Sequence, residues 1–307
     1  MEIEVNISYI HLWGYVELNK YRYLYFSIMF MVYVLILCSN SIIVYLILTN
    51  KGLHEPMYIF IAALLFNCVL YSTTVCPKLL IDFLSHDQII SLSACHFQFF
   101  IFHSTGCTEF MLLAVMSFDR YVSICKPLRY RMMMTKSRVN IFLVLAWCFP
   151  ACHIAVQTIL SAKAKICNLR LKGIICNNII YSAHCVRSRP IAFFGIVIML
   201  NTIILPILFT VCTYANIFVI CYRNSKTLRK KAAETCIPHL LVLNVIFCLM
   251  VYDLVVARVE SDFPSVVSFI MTFQGLLCNP LLNPFIYGLK MKEIFKHVKR
   301  LFCLGKI

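Results

Sequence analysis

Residues 24–48 read LYFSIMFMVYVLILCSNSIIVYLIL and contain no charged side chain. A run of about 20 apolar residues is long enough to cross the hydrocarbon core of a bilayer as a helix. Six further apolar runs of similar length follow, at 57–80, 92–118, 139–160, 191–221, 236–257 and 264–287. The sequence therefore predicts an all-α membrane protein, a bundle of seven transmembrane helices.

The composition of the whole chain agrees with a membrane protein. Of the 307 residues, 61% are hydrophobic and only 13% are charged, and the mean hydropathy is +0.84. Soluble domains carry about 25% charged residues. A net charge of +15 would suggest a nucleic-acid partner in a soluble protein. In a membrane chain this charge indicates topology instead, and we expect no nucleic-acid partner.

The distribution of lysine and arginine predicts the orientation of the chain. The connections after the first, third and fifth runs, together with the C-terminal tail, hold 18 of the 28 cations. Loops rich in these residues stay in the cytoplasm, so the C-terminus is predicted inside and the N-terminus outside. Lys20 and Arg22 oppose this locally, but the whole-chain count outweighs them. The sequon Asn6-Ile7-Ser8 agrees with an outer, glycosylated N-terminus.

The chain then divides into three regions. We assign 1–23 to an extracellular tail, 24–287 to the seven-helix domain and 288–307 to a cytoplasmic helix and tail. The tail carries three glutamates among its first 20 residues and no apolar segment, so we expect no cleavable signal peptide. In the last region, LKMKEIFKHVKRLF (289–302) alternates apolar residues and lysines near helical spacing. This pattern predicts a short amphipathic helix that lies on anionic membrane lipids.

Four of the 17 cysteines lie near or within polar connections on the predicted outer side. Cys167, Cys176 and Cys185 follow each other at nine-residue intervals, and Cys95 opens the third run on the same side. This side is oxidising, so we expect disulfides there. Four cysteines allow three pairings, and their spacing alone does not choose between them.

The third run carries an acid and an arginine on one helical face. Glu109 and Arg120 are 11 residues apart, so on a helix they differ by about 20° in direction and about 16 Å in depth. Phe102, Gly106 and Leu113 share that face. A carboxylate at mid-membrane depth is costly, so Glu109 should face the bundle interior. An ion or water site and a hydrogen-bonded packing residue are equally good interpretations of Glu109.

Residues near the outer ends of the third and sixth runs are weaker candidates for ligand contact. His103 lies one turn inside the outer end of the third run, where a structural hydrogen-bond donor is the commoner role. Tyr252 and Asp253 lie near the outer end of the sixth run, where a solvated helix end is the alternative to a pocket.

Several motifs resemble those of rhodopsin-like G-protein-coupled receptors. Asp119-Arg120-Tyr121 matches the motif at the inner end of their third helix, and NPFIY (283–287) matches the motif of their seventh. Asn40, Trp147, Pro206 and Tyr214 fit their first, fourth and fifth helices. The match narrows to olfactory receptors. The segments that carry it are LHEPMYIF (53–60), MSFDRYVSICKPLRY (116–130), KAAETCIPHL (231–240) and NPLLNPFIYGLKMKEI (279–294). CIPHL (236–240) and YSTTVCPKLLIDFLS (71–85) are most similar to fish-type odorant receptors.

This resemblance implies a small extracellular odorant as ligand and a heterotrimeric G protein, of the olfactory stimulatory type, as partner. It implies a multi-pass protein of the plasma membrane, in sensory neuron cilia. The disulfides it implies are Cys95–Cys176 and Cys167–Cys185. The implied coupling residues are Asp119, Arg120, Tyr121, Tyr214, Asn283, Pro284 and Tyr287. The implied ligand contacts are Phe99, Phe102, His103, Gly106, Phe247 and Tyr252.

The sequence departs from the family pattern at three places. Cys68, beside Asn67, stands where the family usually has aspartate, which disfavours a sodium ion shared with Glu109; we otherwise expect no metal. Pro238 replaces a serine of the family's sixth-helix motif. Phe247-Cys248 replaces an aromatic-glycine step, which weakens transfer of pocket residues from relatives.

Other classes fit the sequence less well. The seventh run contains no lysine for a retinal Schiff base, and residues 95–108 contain no acid for an amine ligand. The repeated halves typical of transporters are missing. We find no catalytic constellation and expect neither an enzyme nor a cofactor. A non-olfactory receptor of the same superfamily and a non-signalling receptor-like protein remain as alternatives.

Overall fold

The computed structural model describes residues 9–186, 188–223, 236–237, 239–248, 251 and 265–304. Helices α1 to α4 cover Leu18–Thr49, Pro56–Leu84, Leu92–Cys125 and Lys136–Ala162. Helix α5 consists of Arg189–Met199 and Leu205–Arg223, joined by a π-helical segment at Leu200–Ile204. Helix α6 is described over His239–Cys248, α7 spans Ser265–Lys290 and α8 spans Lys292–Leu304.

Six of the described helices are long and apolar enough to cross a membrane, and the described part of α6 is a shorter apolar helix. Local signals explain several helix starts. Pro56 begins α2, where a missing backbone N–H costs nothing. The Thr135 hydroxyl caps α4 by accepting a hydrogen bond from the Arg138 N–H at 3.4 Å. The first five apolar runs thus lie within helices, and the described parts of the sixth and seventh runs are helical.

The N-terminal region differs from the predicted tail of residues 1–23. Helix α1 begins at Leu18, six residues before the apolar run, because backbone hydrogen bonding continues past the last apolar side chain. Before it, strand β1 (Tyr9–Leu12) pairs antiparallel with β2 (Ile89–Ser91) and parallel with β3 (Arg170–Leu171). This small sheet joins three segments that are far apart in sequence, which helical periodicity does not reveal.

The sheet defines one end of the bundle. We call the end that carries β1 to β3 the N-terminal face, and the end that carries Asp119-Arg120-Tyr121 and α8 the C-terminal face. At the N-terminal face the chain passes Gly173 so closely that a β-carbon on Gly14 would lie 2.6 Å from its carbonyl carbon. Gly14 is therefore required for this crossing, since real β-carbons do not approach so closely.

Helix α3 lies at the centre of the bundle and is the most buried of the described spanning helices. The largest core cluster packs α3 against α2, and it also receives side chains from α1, α4, α6, α7 and Ile294 of α8. Most of the outer faces of α1, α4 and α5 are exposed and apolar, as surfaces that face lipid must be. The central position of α3 places its polar residues against several neighbours at once.

Candidate functional site

Asp119 and Arg120 form an ion pair at the C-terminal face. Asp119 is fully buried, and its Oδ2 accepts hydrogen bonds from Arg120 Nε at 3.0 Å and from a terminal guanidinium nitrogen. The Tyr130 hydroxyl donates to the other carboxylate oxygen, Oδ1, at 2.9 Å. Both carboxylate oxygens are thus engaged. The pair lowers the cost of placing an arginine at the end of a membrane helix.

Tyr130 was not predicted as a site residue. It begins a single helical turn, Tyr130–Met133, in the connection between α3 and α4. Burial raises the pKa of the Tyr130 hydroxyl, and the charge and hydrogen bond of Asp119 raise it further, so the phenol stays a neutral donor. The role of Tyr130 depends on the connection folding back onto α3. The only sequence signal for this role was that Tyr130 ends the segment MSFDRYVSICKPLRY (116–130).

His239 joins the two predicted switch tyrosines. Tyr287 Oη and His239 Nδ1 form a hydrogen bond at 3.2 Å, and the Tyr214 ring lies nearly parallel to the imidazole with centroids 6.5 Å apart. All three side chains are buried. Among the described residues, neither the Tyr214 hydroxyl nor His239 Nε2 has a hydrogen-bond partner. Helices α5, α6 and α7 therefore meet through one imidazole.

His239 was missed because no pattern assigned it a role. The available signal was an ionisable side chain within an apolar run, which in membranes marks a functional position by default. Its two tyrosine partners come from different helices, so sequence spacing could not have identified them.

Glu109 lies at the centre of a polar network, buried as its helical phase predicts. Asn283 Nδ2 donates to Glu109 Oε1 at 2.9 Å and to Cys68 Sγ at 3.2 Å. Asn279 Nδ2 donates to Glu109 Oε2 at 3.5 Å. The network ties α3 to α7 and α2. Asn283 of the predicted switch motif thus contacts the one carboxylate in the middle of α3.

Several amide oxygens near this level have no hydrogen-bond partner among the described residues. They include Oδ1 of Asn40, Asn67 and Asn283, together with the Ser72 hydroxyl. The amide nitrogen of Asn40 donates to the Pro280 carbonyl at 2.9 Å, and that of Asn67 to the Thr105 carbonyl at 2.9 Å. Within the described residues, no three His, Cys, Asp or Glu side chains come together as metal ligands would.

Aromatic residues of α3 surround His103 in the N-terminal half of the bundle. The Phe99 and Phe102 rings lie 4.4 and 5.1 Å from the imidazole, centroid to centroid. His103 Nε2 is buried and has no hydrogen-bond partner in the described part of the chain. A β-carbon added to Gly106, one turn further along, would meet no atom within 4 Å. The predicted ligand residues of α3 therefore border open space and one unpaired polar atom.

Fewer contacts connect the remaining predicted site residues to the clusters described above. Phe247 on α6 is 39% exposed, and no ring contact in the described structure joins it to Phe99 or Phe102. Tyr252 and Asn6 lie outside the described residues, as does Asp253. Pro284 is buried within α7, and Lys126 Nζ lies 5.5 Å above the Tyr121 ring.

Two disulfides hold the connection between α4 and α5 on the N-terminal face. They join Cys95 to Cys176 and Cys167 to Cys185, the pairs that the resemblance implies. Gln98 supports the first, because its Oε1 accepts the Cys176 N–H at 2.9 Å and its Nε2 donates to the Thr74 carbonyl at 3.3 Å. The connection is thereby fixed against both α2 and α3.

The N-terminal segment is held by a second polar contact that was not predicted. The Tyr15 hydroxyl donates to Asp82 Oδ2 at 2.9 Å, and Lys78 forms an ion pair with Asp82 Oδ1. Burial and the neighbouring Asp82 raise the pKa of the Tyr15 hydroxyl, which keeps it protonated. This contact fixes the segment before α1 against the end of α2 at the N-terminal face.

Two histidines share a serine beneath the same connection. The Ser161 hydroxyl lies 3.1 Å from His184 Nε2 and 3.4 Å from His96 Nε2. The Tyr181 ring packs edge-on against His184, with centroids 5.8 Å apart. Burial raises the pKa of Tyr181 to about 12, so this neighbour stays neutral.

Acidification is expected to loosen this connection. Burial lowers the pKa of His184, and the nearby His96 lowers it further, so the unfolded chain binds a proton before the folded chain does. The stabilisation is complete above the ordinary histidine pKa of about 6.5 and decreases as pH falls below it. We expect the thermal midpoint of the purified protein, followed by labelling of buried thiols, to decrease as the pH is lowered from about 7.5 to about 5.5.

In His184→Gln this pH dependence should be smaller. The control is His86→Gln, which changes an exposed histidine in the connection between α2 and α3. Equal losses of midpoint in His184→Gln and the unaltered chain would contradict the prediction.

Comparisons with known proteins agree with this geometry. The family profile described as olfactory receptor matches residues 29–305. Olfactory receptor 4E1 of Homo sapiens is 33% identical over 304 residues, covering 96% of this chain and 93% of the relative. Olfactory receptor 13C2 of Homo sapiens is 32% identical over 286 residues, covering 91% of this chain and 90% of the relative.

Among solved structures, squid rhodopsin matches with a TM-score of 0.71 at 19% identity, over 92% of this chain and 87% of that chain. At this identity the likeness shows the fold alone, and it confirms the predicted seven-helix bundle with a short C-terminal helix. The profile match and the two relatives span nearly the whole chain. They show that this chain belongs to the olfactory receptor family of rhodopsin-like receptors.

Proposed function

We propose that this protein binds a small odorant in the N-terminal half of the bundle and activates a heterotrimeric G protein at its C-terminal face. The observation that carries the proposal is the arrangement along α3. One helix borders open space at Gly106, contacts α7 through Glu109 and presents Arg120 at the opposite end. A ligand that shifts α3 against α7 therefore acts on both regions.

The ligand chemistry follows from the residues around His103. Phe99 and Phe102 supply apolar walls, and His103 Nε2 supplies one hydrogen-bonding atom. A small, mostly apolar molecule with a single hydroxyl, carbonyl or carboxyl group would satisfy that atom. Residues 161–190 carry six cations and no acid, which favours neutral or anionic ligands through long-range attraction.

We propose that the N-terminal face is extracellular and the C-terminal face cytoplasmic. The cation distribution and the Asn6 sequon support this orientation, and oxidising surroundings suit the two disulfides. The same reasoning favours the plasma membrane, and the family favours sensory neuron cilia. Helix α8 begins with Glu293 in its first turn and continues with lysines and an arginine, so it suits a position on anionic lipid.

Activation is proposed as a shift between two helix packings. In the structure Arg120 is held by Asp119, and α6 is held to α7 by the contact of His239 with Tyr287. An outward movement of α6 would break the latter contact and open the C-terminal face. Arg120, freed from Asp119 and supported by Tyr214 and Tyr121, would then face the G protein, which we propose is the stimulatory olfactory type.

Two finer assignments are also part of the proposal. The segments CIPHL and YSTTVCPKLLIDFLS favour a fish-type receptor. Glu109 is the candidate for an ion site, supported by the unpaired oxygens of Asn67 and Asn283. The thiol of Cys68 in place of a carboxylate gives this site one charge fewer than a two-acid site would have.

A ligand screen tests the function. Cells expressing the receptor with a stimulatory G protein are exposed to a panel of neutral, anionic and cationic odorants, and cAMP is measured. For a responding odorant, we expect Gly106→Leu to reduce potency by at least about tenfold, which corresponds to about 1.4 kcal/mol of binding energy. The added side chain occupies the open space beside Gly106.

Gly106→Ala is the matched control, because its β-carbon meets no atom within 4 Å. Surface expression is measured for both variants. Unchanged potency in Gly106→Leu would place the ligand elsewhere, and strongest responses to cationic odorants would contradict the expected charge preference.

A further inference from the structure

A groove lies on the outer surface of α4 near the C-terminal face. It consists of two adjoining cavities of about 290 and 310 Å³. Phe118, Met133, Arg138, Ile141 and Phe142 line the first; Ser137, Asn140, Ile141, Val144 and Leu145 line the second. Ile141 lines both, so the two cavities adjoin at this residue on a surface that faces the membrane.

The lining changes from polar to apolar along the helix. Ser137, Arg138 and Asn140 occupy the first turns of α4, where the helix enters the membrane. Ile141, Val144 and Leu145 follow on the same side and are 52%, 58% and 52% exposed. This order of polar and apolar groups matches a phospholipid, whose charged headgroup lies at the bilayer edge and whose chains extend inward.

The polar end of the groove belongs to a strongly basic segment, of which Arg138 lines the groove. Residues 126–140 contain five cations, Lys126, Arg129, Arg131, Lys136 and Arg138, and no acid. Arg138 donates one hydrogen bond to the Met133 carbonyl at 3.3 Å, which holds the guanidinium at the rim. Within the described residues it has no salt bridge. A guanidinium has five N–H donors, so its others are available to a phosphate.

We propose that this groove binds one anionic phospholipid of the leaflet at the C-terminal face. Its phosphate contacts Arg138 at the rim of the first cavity, and an acyl chain packs over Ile141, which lines both cavities. The charge at the rim favours an anionic lipid over a zwitterionic lipid or a sterol. The proposal depends on α4 crossing a membrane and not on the odorant, so a failed ligand screen would leave it standing.

A bound lipid would also stabilise the contacts of Asp119 with Arg120 and with the Tyr130 hydroxyl. Phe118 lines the groove and directly precedes Asp119, and its ring contacts Phe142 with centroids 6.0 Å apart. Met133 lines it too and ends the helical turn that Tyr130 begins. Occupancy therefore favours the position of the connection in which the Tyr130 hydroxyl reaches Asp119.

Native mass spectrometry of the full-length receptor tests the proposal. Purified protein is mixed with phosphatidylserine and phosphatidylcholine of identical acyl chains, and the bound lipids are counted. We expect a preference for phosphatidylserine of about fivefold, as for one cation near a lipid surface. Arg138→Gln should remove this preference. Ile141→Trp should reduce phosphatidylserine binding, because the larger indole takes up space at the residue that lines both cavities.

Two matched controls use the opposite end of α4. Val156→Trp adds the same indole at an exposed apolar position, and Lys163→Gln removes an exposed cation. Both should bind lipid like the unaltered receptor. Retention of the preference in Arg138→Gln, or unchanged binding in Ile141→Trp, would overturn the proposal. If the double variant Lys296→Gln/Lys299→Gln lost the preference for phosphatidylserine while Arg138→Gln kept it, the lipid site would be assigned to α8 instead.

Discussion

Replacing Cys95 or Cys176 by serine is expected to abolish delivery of the receptor to the cell surface. Their disulfide closes a loop of 81 residues between α3 and the connection after α4. In the chain-entropy model, closing a loop of that length stabilises a fold by about 4.5 kcal/mol. This is a large part of the 5–15 kcal/mol that typically holds a folded protein together. Both cysteines are fully buried, so the variant also leaves an unpaired thiol in the core.

Surface delivery is measured by antibody labelling of an N-terminal epitope on intact cells, relative to total receptor. Cys167→Ser is the graded control, since its disulfide with Cys185 closes only 18 residues and contributes about 3 kcal/mol in the same model. Cys148→Ser changes an exposed, free cysteine of α4 and should have no effect. Normal surface labelling of Cys95→Ser would show that the connection folds without this disulfide.

Arg120→Ala is expected to abolish the cAMP response to an odorant while ligand binding persists. Arg120 lies at the C-terminal face, at the opposite end of α3 from Phe99 and Gly106, so its removal leaves the ligand region intact. The response should fall to the level of cells without receptor. Arg22→Ala, in the first turns of α1, is the matched control; it removes a half-buried arginine whose hydrogen bond goes to the neighbouring Asn19. A normal cAMP response in Arg120→Ala would show that G-protein activation does not need this side chain.

Tyr130→Phe should have the opposite effect on the same switch. It removes only the hydroxyl that donates to Asp119 Oδ1. A hydrogen bond to a charged group contributes about 1.5 kcal/mol, and here it holds the resting packing, so we expect its loss to raise basal cAMP by up to about tenfold. Unchanged basal cAMP would mean that Tyr130 stabilises both packings equally.

The helical phase of α3 shows how far local reasoning reaches. The burial of Glu109 and its alignment with Arg120 follow from the angle between successive residues, and the structure confirms that Glu109 is buried. The partners of Glu109 do not follow from that angle. Asn283 is 174 residues away, and its approach depends on how α7 packs against α3.

The boundaries and the small sheet show where local reasoning ends. The run 24–48 identified α1 but not its start at Leu18, because a helix continues through polar residues once its hydrogen bonds are formed. Strand β1 has four residues and pairs with segments about 80 and 160 residues away. Its formation depends on the connections being brought to one end of the bundle, which no local pattern encodes.

The sequence by itself determined the membrane class, the number of spans, the family and the inward face of α3. These depend on the length of apolar runs, on helical periodicity and on motifs, all of which are local. Only the tertiary structure decided which polar groups meet. His239 reaches Tyr287, Tyr130 reaches Asp119 and Tyr15 reaches Asp82 across separations of 48, 11 and 67 residues. A buried polar group must find a partner, but helix packing determines which one lies within hydrogen-bonding distance.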